Sequence, residues 1–228
     1  DYNRMKYGYS GDQLDPLVLL NPSERANYQN GSELDWQDIM FRNALTTSHQ
    51  ISISGGTEAT TYMASISHLR EDGVMENTGL KRTNIALNIT QVLNKWLTVG
   101  MGTQAIQKEF GGEQPYLEAG LKMSPYGIYK DENDRYVDYP MDQTLFYNPM
   151  ANIDATNDKT NRNVFISTFA EIQFPIDGLS FRTNFGYNYR NNFVGSYYGR
   201  NTLSGKKVNG SASICLLYTS PSPRDKRQ

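Results

Sequence analysis

Four places in this sequence carry residue types that could do chemistry. Asp131-Glu132-Asn133-Asp134 gathers carboxylate and amide oxygens, the ligands a hard cation such as Ca²⁺ takes. An EF-hand loop needs Gly at its sixth position, which here is Tyr136, so the run reads instead as a solvated hairpin tip. Gly100-Met101-Gly102 sits inside an alternating stretch rather than before a helix, and so lacks the setting of a phosphate cradle. Nucleophilic catalysis has no footing: there is no Gly-x-Ser-x-Gly, and His49 and His68 have no local partner. The single Cys215 can build neither a disulfide framework nor a cysteine metal site. The expectation is therefore no catalytic, cofactor-binding or metal-ligating residue, no cofactor and no enzyme. The fourth place is aromatic. Between residues 107 and 163 stand Tyr116, Tyr126, Tyr129, Tyr136, Tyr139, Phe146 and Tyr147. Such rings stack on sugars, anchor protein interfaces, or pack a segment on itself, and all three readings stay open.

The elements that position these residues are β-strands. Of 228 residues only 38% are hydrophobic, with a mean hydropathy of −0.62, yet 12% are aromatic, which argues against disorder. No run of about 18 apolar residues exists, so no transmembrane helix is expected. The net charge of −2 gives no basic field for nucleic acid. Period-two alternation is the informative signal. Ile85, Leu87, Ile89 and Leu93 oppose Asn84, Asn88 and Thr90. Leu97, Val99 and Met101 oppose Thr98, Gly100, Gly102 and Gln104. Val164, Ile166, Ala170, Ile172 and Phe174 oppose Ser167, Glu171 and Gln173. Phe181, Phe185, Tyr187 and Tyr189 oppose Arg182, Asn184, Asn188 and Arg190. Weaker strands lie at 50–54 and 62–69, six in all.

Connections alternate between short and long. Residues 55–59, 94–95 and 175–178 read as tight turns, whereas 71–82 and 107–163 are longer, and a further polar stretch starts after Arg190. Short turns at one end and long loops at the other predict an outer-membrane β-barrel, with its aliphatic face to lipid and its polar face to a wet interior. Trp96, Tyr187 and Tyr189 would then sit in interfacial aromatic girdles. A soluble β-sandwich with one face in water, such as a carbohydrate-binding module, shows the same alternation and is the alternative.

Residues 1–48 precede the clear strands and include a short helix near 33–42, with Ser32-Glu33-Leu34-Asp35 as a capping box and Trp36, Ile39 and Met40 on its buried face. The chain opens Asp1-Tyr2-Asn3, without a Met or a leader peptide, as expected of a segment of a longer protein. Cys215 to Asp225 back-translates into a string resembling a transposase-type sequencing adapter, so 214–228 reads as a non-native tail rather than a natural Pro/Ser-rich one. The native barrel segment is then 49–213.

An ordered series of motifs resembles the SusC/RagA family of TonB-dependent outer-membrane transporters. It begins with Asp35-Trp36-Gln37-Asp38, Phe41-Arg42 and His49-Gln50-Ile51-Ser52-Ile53-Ser54-Gly55-Gly56-Thr57. Tyr62-Met63-Ala64-Ser65, Glu71-Asp72-Gly73-Val74 and Lys81-Arg82-Thr83-Asn84-Ile85-Ala86-Leu87-Asn88 follow. Asn148-Pro149-Met150-Ala151 and the stretch from Gly178 to Tyr187 complete it. The resemblance implies an all-β fold, part of an antiparallel transmembrane barrel of roughly 22 strands around a plug. It implies import of oligomeric nutrients, glycans and in some cases peptides, across the outer membrane of a Gram-negative, Bacteroidota-type bacterium. It also implies a SusD-like surface lipoprotein as partner and a TonB complex acting through a plug outside this segment. The seven aromatic residues above would then meet substrate or lipoprotein, with 107–163 as an extracellular loop.

Overall fold

The computed structural model describes residues 16–219. Seven strands form one antiparallel sheet in strict chain order: β1 Thr46–Gly56, β2 Thr60–Asp72, β3 Gly79–Asn94, β4 Leu97–Phe110, β5 Thr156–Gln173, β6 Ser180–Tyr198 and β7 Ser211–Thr219. Among the described residues five short helices accompany them: Pro16–Leu19, Pro22–Asn30, Trp36–Met40, Leu117–Leu121 and Leu203–Lys206. The chain divides into two compact units. One is the sheet, built from Asn43–Glu113, Ala155–Tyr197 and the residues from Ser211; the other combines the residues up to Arg42 with Gln114–Asp154 and Tyr198–Gly210.

The sheet places each alternating set in register with its neighbours. Ile51, Ile66, Ile85, Ala105, Val164 and Tyr189 lie opposite one another across six strands. The next row is Ile53, Ala64, Leu87, Thr103, Ile166 and Tyr187, and the next Gly55, Tyr62, Ile89, Met101, Thr168 and Phe185. Val99 with Ala170, then Leu97 with Ile172 and Phe181, continue this apolar face. Five rows cover about 27 Å along the strands, or about 20 Å of height at a tilt of about 40°, the same order as the roughly 25 Å apolar belt of outer-membrane barrels. The belt stops abruptly. His49, His68, Thr83, Gln107, Arg162 and Asn191 form the following row, and Arg70, Lys81, Glu109 and Thr160 the one after.

This apolar face has no second sheet over it among the described residues. Ile51 is 73% exposed, Ile53 61%, Ile85 50% and Phe185 66%. Uncovered apolar side chains of this kind suit a barrel wall facing lipid. The fold is all-β, the open meander of a barrel wall.

Several boundaries differ from those read in the alternation. The strands number seven rather than six, and most are longer than the roughly 9–11 residues needed to cross a tilted bilayer. β5 starts at Thr156 and β6 runs to Tyr198 because their polar ends keep the backbone ladder after the apolar pattern has ended. The same extension shortens the 71–82 connection to residues 73–78, where Gly73 N–H donates to the Thr78 carbonyl at 2.9 Å. That is no longer than the 174–179 turn at the other end, where Gly178 takes φ +80°. The asymmetry in loop length therefore rests on 111–155 and 199–210. Leu93 does not continue its row: a bulge between Val92 and Asn94 shifts the register there. β7 includes Cys215 to Thr219, the start of the adapter-like string; an open sheet edge accepts any strand-prone segment. Residues 220–228 of that string, and 1–15 at the opening, lie outside the described residues.

In the second unit, the helix Trp36–Met40 is capped by Asp35, whose Oδ1 accepts from the Gln37 and Asp38 amides at 2.8 and 3.2 Å. Trp36 and Met40 are buried and Ile39 half-buried. The Trp36 Nε1–H donates to the Ser124 carbonyl at 2.8 Å. Met40, fully buried, places its thioether end where a side chain at Gly120 would stand, so a larger residue there would have to displace it.

Candidate functional site

The seven aromatic residues fall into three groups, all in the second unit. Tyr129 is central to one group: its ring meets Trp36 edge-on at 5.9 Å and Tyr136 at 5.5 Å. Lys130 Nζ sits 5.6 Å from the Tyr129 ring and 5.0 Å from that of Tyr136, and donates to Asp134 Oδ1 at 2.9 Å. The bond to Asp134 holds the Lys130 ammonium above the usual lysine range. Tyr126 meets Tyr28 edge-on at 5.1 Å and donates to Glu33 Oε1 at 3.0 Å. That bond, helped by burial, raises the Tyr126 hydroxyl. Through Tyr126 and Tyr129 these contacts tie 114–154 to the segment before β1.

Tyr116 and Tyr147 are different. Their rings lie 5.3 Å apart at a 30° tilt, and Tyr116 is 47% exposed. Tyr116 donates to Glu118 Oε2 at 3.0 Å, and Glu118 also receives Lys122 Nζ. Hydrogen bonding with Tyr147, then with the Glu118 carboxylate, pushes the Tyr116 hydroxyl up to about 12. Lys122, followed by Tyr116, lowers the Glu118 carboxyl in turn. This pair presents stacked aromatic surface with a polar rim. Tyr139 and Phe146 are half-buried, held in turns by the Asp142 N–H to Tyr139 carbonyl bond at 3.1 Å and the Phe146 N–H to Gln143 carbonyl bond at 3.0 Å.

The acidic run is a hairpin tip closed by the Lys130–Tyr136 bridge. Asp131 Oδ1 accepts from the Arg135 and Asn133 amides at 2.9 and 2.8 Å, and the Arg135 amide, with that of Asn133, holds the carboxyl below its usual range. Its oxygens serve the turn, with Asp134 at φ 60°.

Sequence inspection missed the residue that organises this unit. Asn148 is 1% exposed, and its side chain makes three hydrogen bonds to the backbone around it. Nδ2 donates to the Tyr129 and Val137 carbonyls, each at 2.9 Å, and Oδ1 accepts from the Met150 amide at 2.9 Å. The signal was present in Asn148-Pro149-Met150-Ala151, but its partners lie up to 19 positions away.

The polar face of the sheet carries its own chemistry. Gly100 lies under Phe169, whose ring fills the space a side chain would need. Arg182 stacks on Phe169 at 3.9 Å and pairs with Glu171 at 3.2 Å. Among the described residues no group of three or more His, Cys, Asp or Glu could hold a metal ion.

No family model matches the chain. TonB-dependent receptor P3 of Formosa agariphila is 27% identical over 213 residues, covering 88% of this chain and 21% of the relative. TonB-dependent receptor SusC of Bacteroides thetaiotaomicron is 23% identical, over 81% of this chain and 22% of its own length. Among solved structures, the RagAB peptide transporter matches with TM-score 0.62 and 25% identity, over 75% of this chain and 20% of the other. The RagAB peptide importer in its closed-closed state matches with TM-score 0.66 and 22% identity, over 87% and 26%.

The chain resembles a stretch of the SusC/RagA-type TonB-dependent receptors.

It spans about a fifth of the length of the curated relatives it matches. The seven-stranded antiparallel meander fits a stretch of barrel wall, and the long 111–155 connection carries all seven of the aromatic residues grouped above.

Proposed function

We propose that the chain forms part of the wall and mouth of an outer-membrane transporter that imports oligomeric nutrients, glycans or peptides, with a SusD-like surface lipoprotein and energy from TonB. The observation that carries this reading is the sheet itself, whose apolar belt is uncovered while its other face is polar. A belt of that height suits the hydrocarbon layer, and the polar face suits a water-filled lumen. The relatives named above support outer-membrane transport as the activity. In-frame deletion of the receptor gene in the native bacterium should abolish uptake of a fluorescently labelled oligosaccharide or oligopeptide pool. The wild-type gene should restore uptake, and an uncoupler of the proton gradient should abolish it again. Uptake that persists without the gene, or ignores the uncoupler, would reject the reading.

The loop 111–155 belongs outside the cell on this reading, with Tyr116 and Tyr147 as its best-placed contacts for substrate or lipoprotein. Both of its flanking strands run back to short turns, 95–96 and 174–179, and short turns belong at the periplasmic end. A cysteine introduced at Asp134, on the exposed hairpin tip, should react in intact cells with a membrane-impermeant maleimide. Reaction only after the outer membrane is opened would invert the topology.

A further inference from the structure

We propose that the polar face of the sheet binds an anionic oligosaccharide, with Arg82, Lys108 and Arg190 receiving its acidic groups. This rests on the transporter reading above and names the chemical class of its substrate.

The register brings these cations together. Arg82 on β3 lies directly opposite Lys108 on β4, and both belong to the polar face with Asn84 and Gln104. Arg190 on β6 is on the same face one row lower, opposite Asn163. Strands lie about 4.8 Å apart and same-face rows about 7 Å, so the three charges spread over a patch of about 15 Å. Like charges placed directly opposite each other destabilise a sheet. Among the described residues none of the three cations has an ion-pair partner, although carboxylates stand nearby. Glu71 shares the face one row above Arg82 without pairing to it, and Glu171, far down the face, is taken by Arg182. Lys159 adds a fourth cation in the row above Lys108, over the Phe110 ring at 4.9 Å. A strained cationic patch on a wall that should meet cargo calls for an anion from outside the sheet.

The neighbouring row says what kind of anion. Gln104, Phe165 and Asn188 stand side by side across β4, β5 and β6, directly below Arg190. Phe165 is 44% exposed, and the flanking amides are exposed too. A flat ring between two amides suits a sugar, because the ring covers its apolar C–H face. Amides donate and accept at once, as sugar hydroxyls do. Cations within one or two rows then meet uronate or sulfate groups. An acidic peptide would use the cations but has less use for an amide–ring–amide row.

The test uses the complete receptor that carries this segment, purified in detergent. Calorimetric titration would compare a short oligogalacturonate and a short sulfated dextran with their neutral counterparts, methyl-esterified oligogalacturonate and dextran, and with oligoglutamate. At least one anionic glycan should bind tenfold or more tighter than its neutral counterpart, and the triple variant R82Q/K108Q/R190Q should lose that preference. Equal binding of neutral and anionic glycans, stronger binding of oligoglutamate, or a preference that survives in the triple variant would each overturn the proposal. A ligand-free measurement guards against a merely structural role. Lys108→Gln should raise the receptor's melting temperature by relieving Arg82; a fall would mean that another part of the receptor pairs with Lys108, and would equally overturn the proposal. If labelled oligomer is still taken up in cells, any of these failures leaves the transport reading standing. If no uptake occurs and none of the five probes binds, both readings fall.

Discussion

Replacing Leu87 with arginine should leave much of the receptor unassembled in the outer membrane. Leu87 lies in the second of five apolar rows, between Ala64 and Thr103 and in line with Ile53, Ile166 and Tyr187. An arginine facing lipid at the bilayer midplane costs about 2–4 kcal/mol, and the penalty decays toward the interfaces. Two rows beyond Leu87 the belt ends at Thr83, so most of that penalty should apply. Asn88→Leu, one residue along and on the polar face opposite Met63 and Gly102, should be tolerated. The readout is the heat-modifiable, folded fraction in isolated outer membranes. A neutral Leu87→Arg together with a severe Asn88→Leu would show that the two faces had been assigned the wrong way round.

Removing the side chain of Asn148 should loosen the second unit while sparing the barrel. Asn148→Ala strips partners from the Tyr129 and Val137 carbonyls and from the Met150 amide, deep in packed surroundings. Orphaned buried polar groups cost about 1–3 kcal/mol each, but relaxation and water entry share the loss, so about 2–4 kcal/mol is expected. Amide hydrogen exchange in 114–154 should then quicken by about 30- to 1000-fold. β3 and β4 should exchange as before, because their ladder does not involve Asn148. Unchanged protection in 114–154 would remove Asn148 from its central place. Asn148→Asp would be a harsher change, since it sets a carboxylate against two carbonyl oxygens that now receive N–H donors.

The alternation was legible because it is a local property. Ile85, Leu87 and Ile89 point one way whatever lies beside them, since successive strand side chains leave opposite faces. Trp36 and Met40 were legible as one buried helical face for a similar reason. Strand ends were harder. Residues 156–163 read Thr-Asn-Asp-Lys-Thr-Asn-Arg-Asn, with no apolar beat, yet they continue β5 because backbone hydrogen bonds to β4 and β6 do not depend on side-chain polarity. The bulge at Leu93 left no mark in composition.

The candidate contacts divide along the same line. Seven aromatic residues stand between Tyr116 and Tyr147 inclusive, and from sequence every one of them looked equally available. Tyr136 packs on Tyr129, and Tyr116 beside Tyr147 remains as more exposed paired surface, while Trp36, Tyr28 and Glu33 hold Tyr126 and Tyr129. Those partners precede β1, about 90 or more positions away, and no local rule reaches that far.

Face, strand class and family resemblance were thus set by residue order alone, because each depends on neighbours a few positions apart. Who stands beside whom was decided by the tertiary structure. Gln104 meets Phe165 only because the sheet resumes in register after the long excursion between β4 and β5. Arg82 faces Lys108 only because the bulge beside the 95–96 turn sets the offset between β3 and β4. Register is a property of the whole hydrogen-bonded ladder, and a slip of one residue would have sent every one of these side chains to the other face.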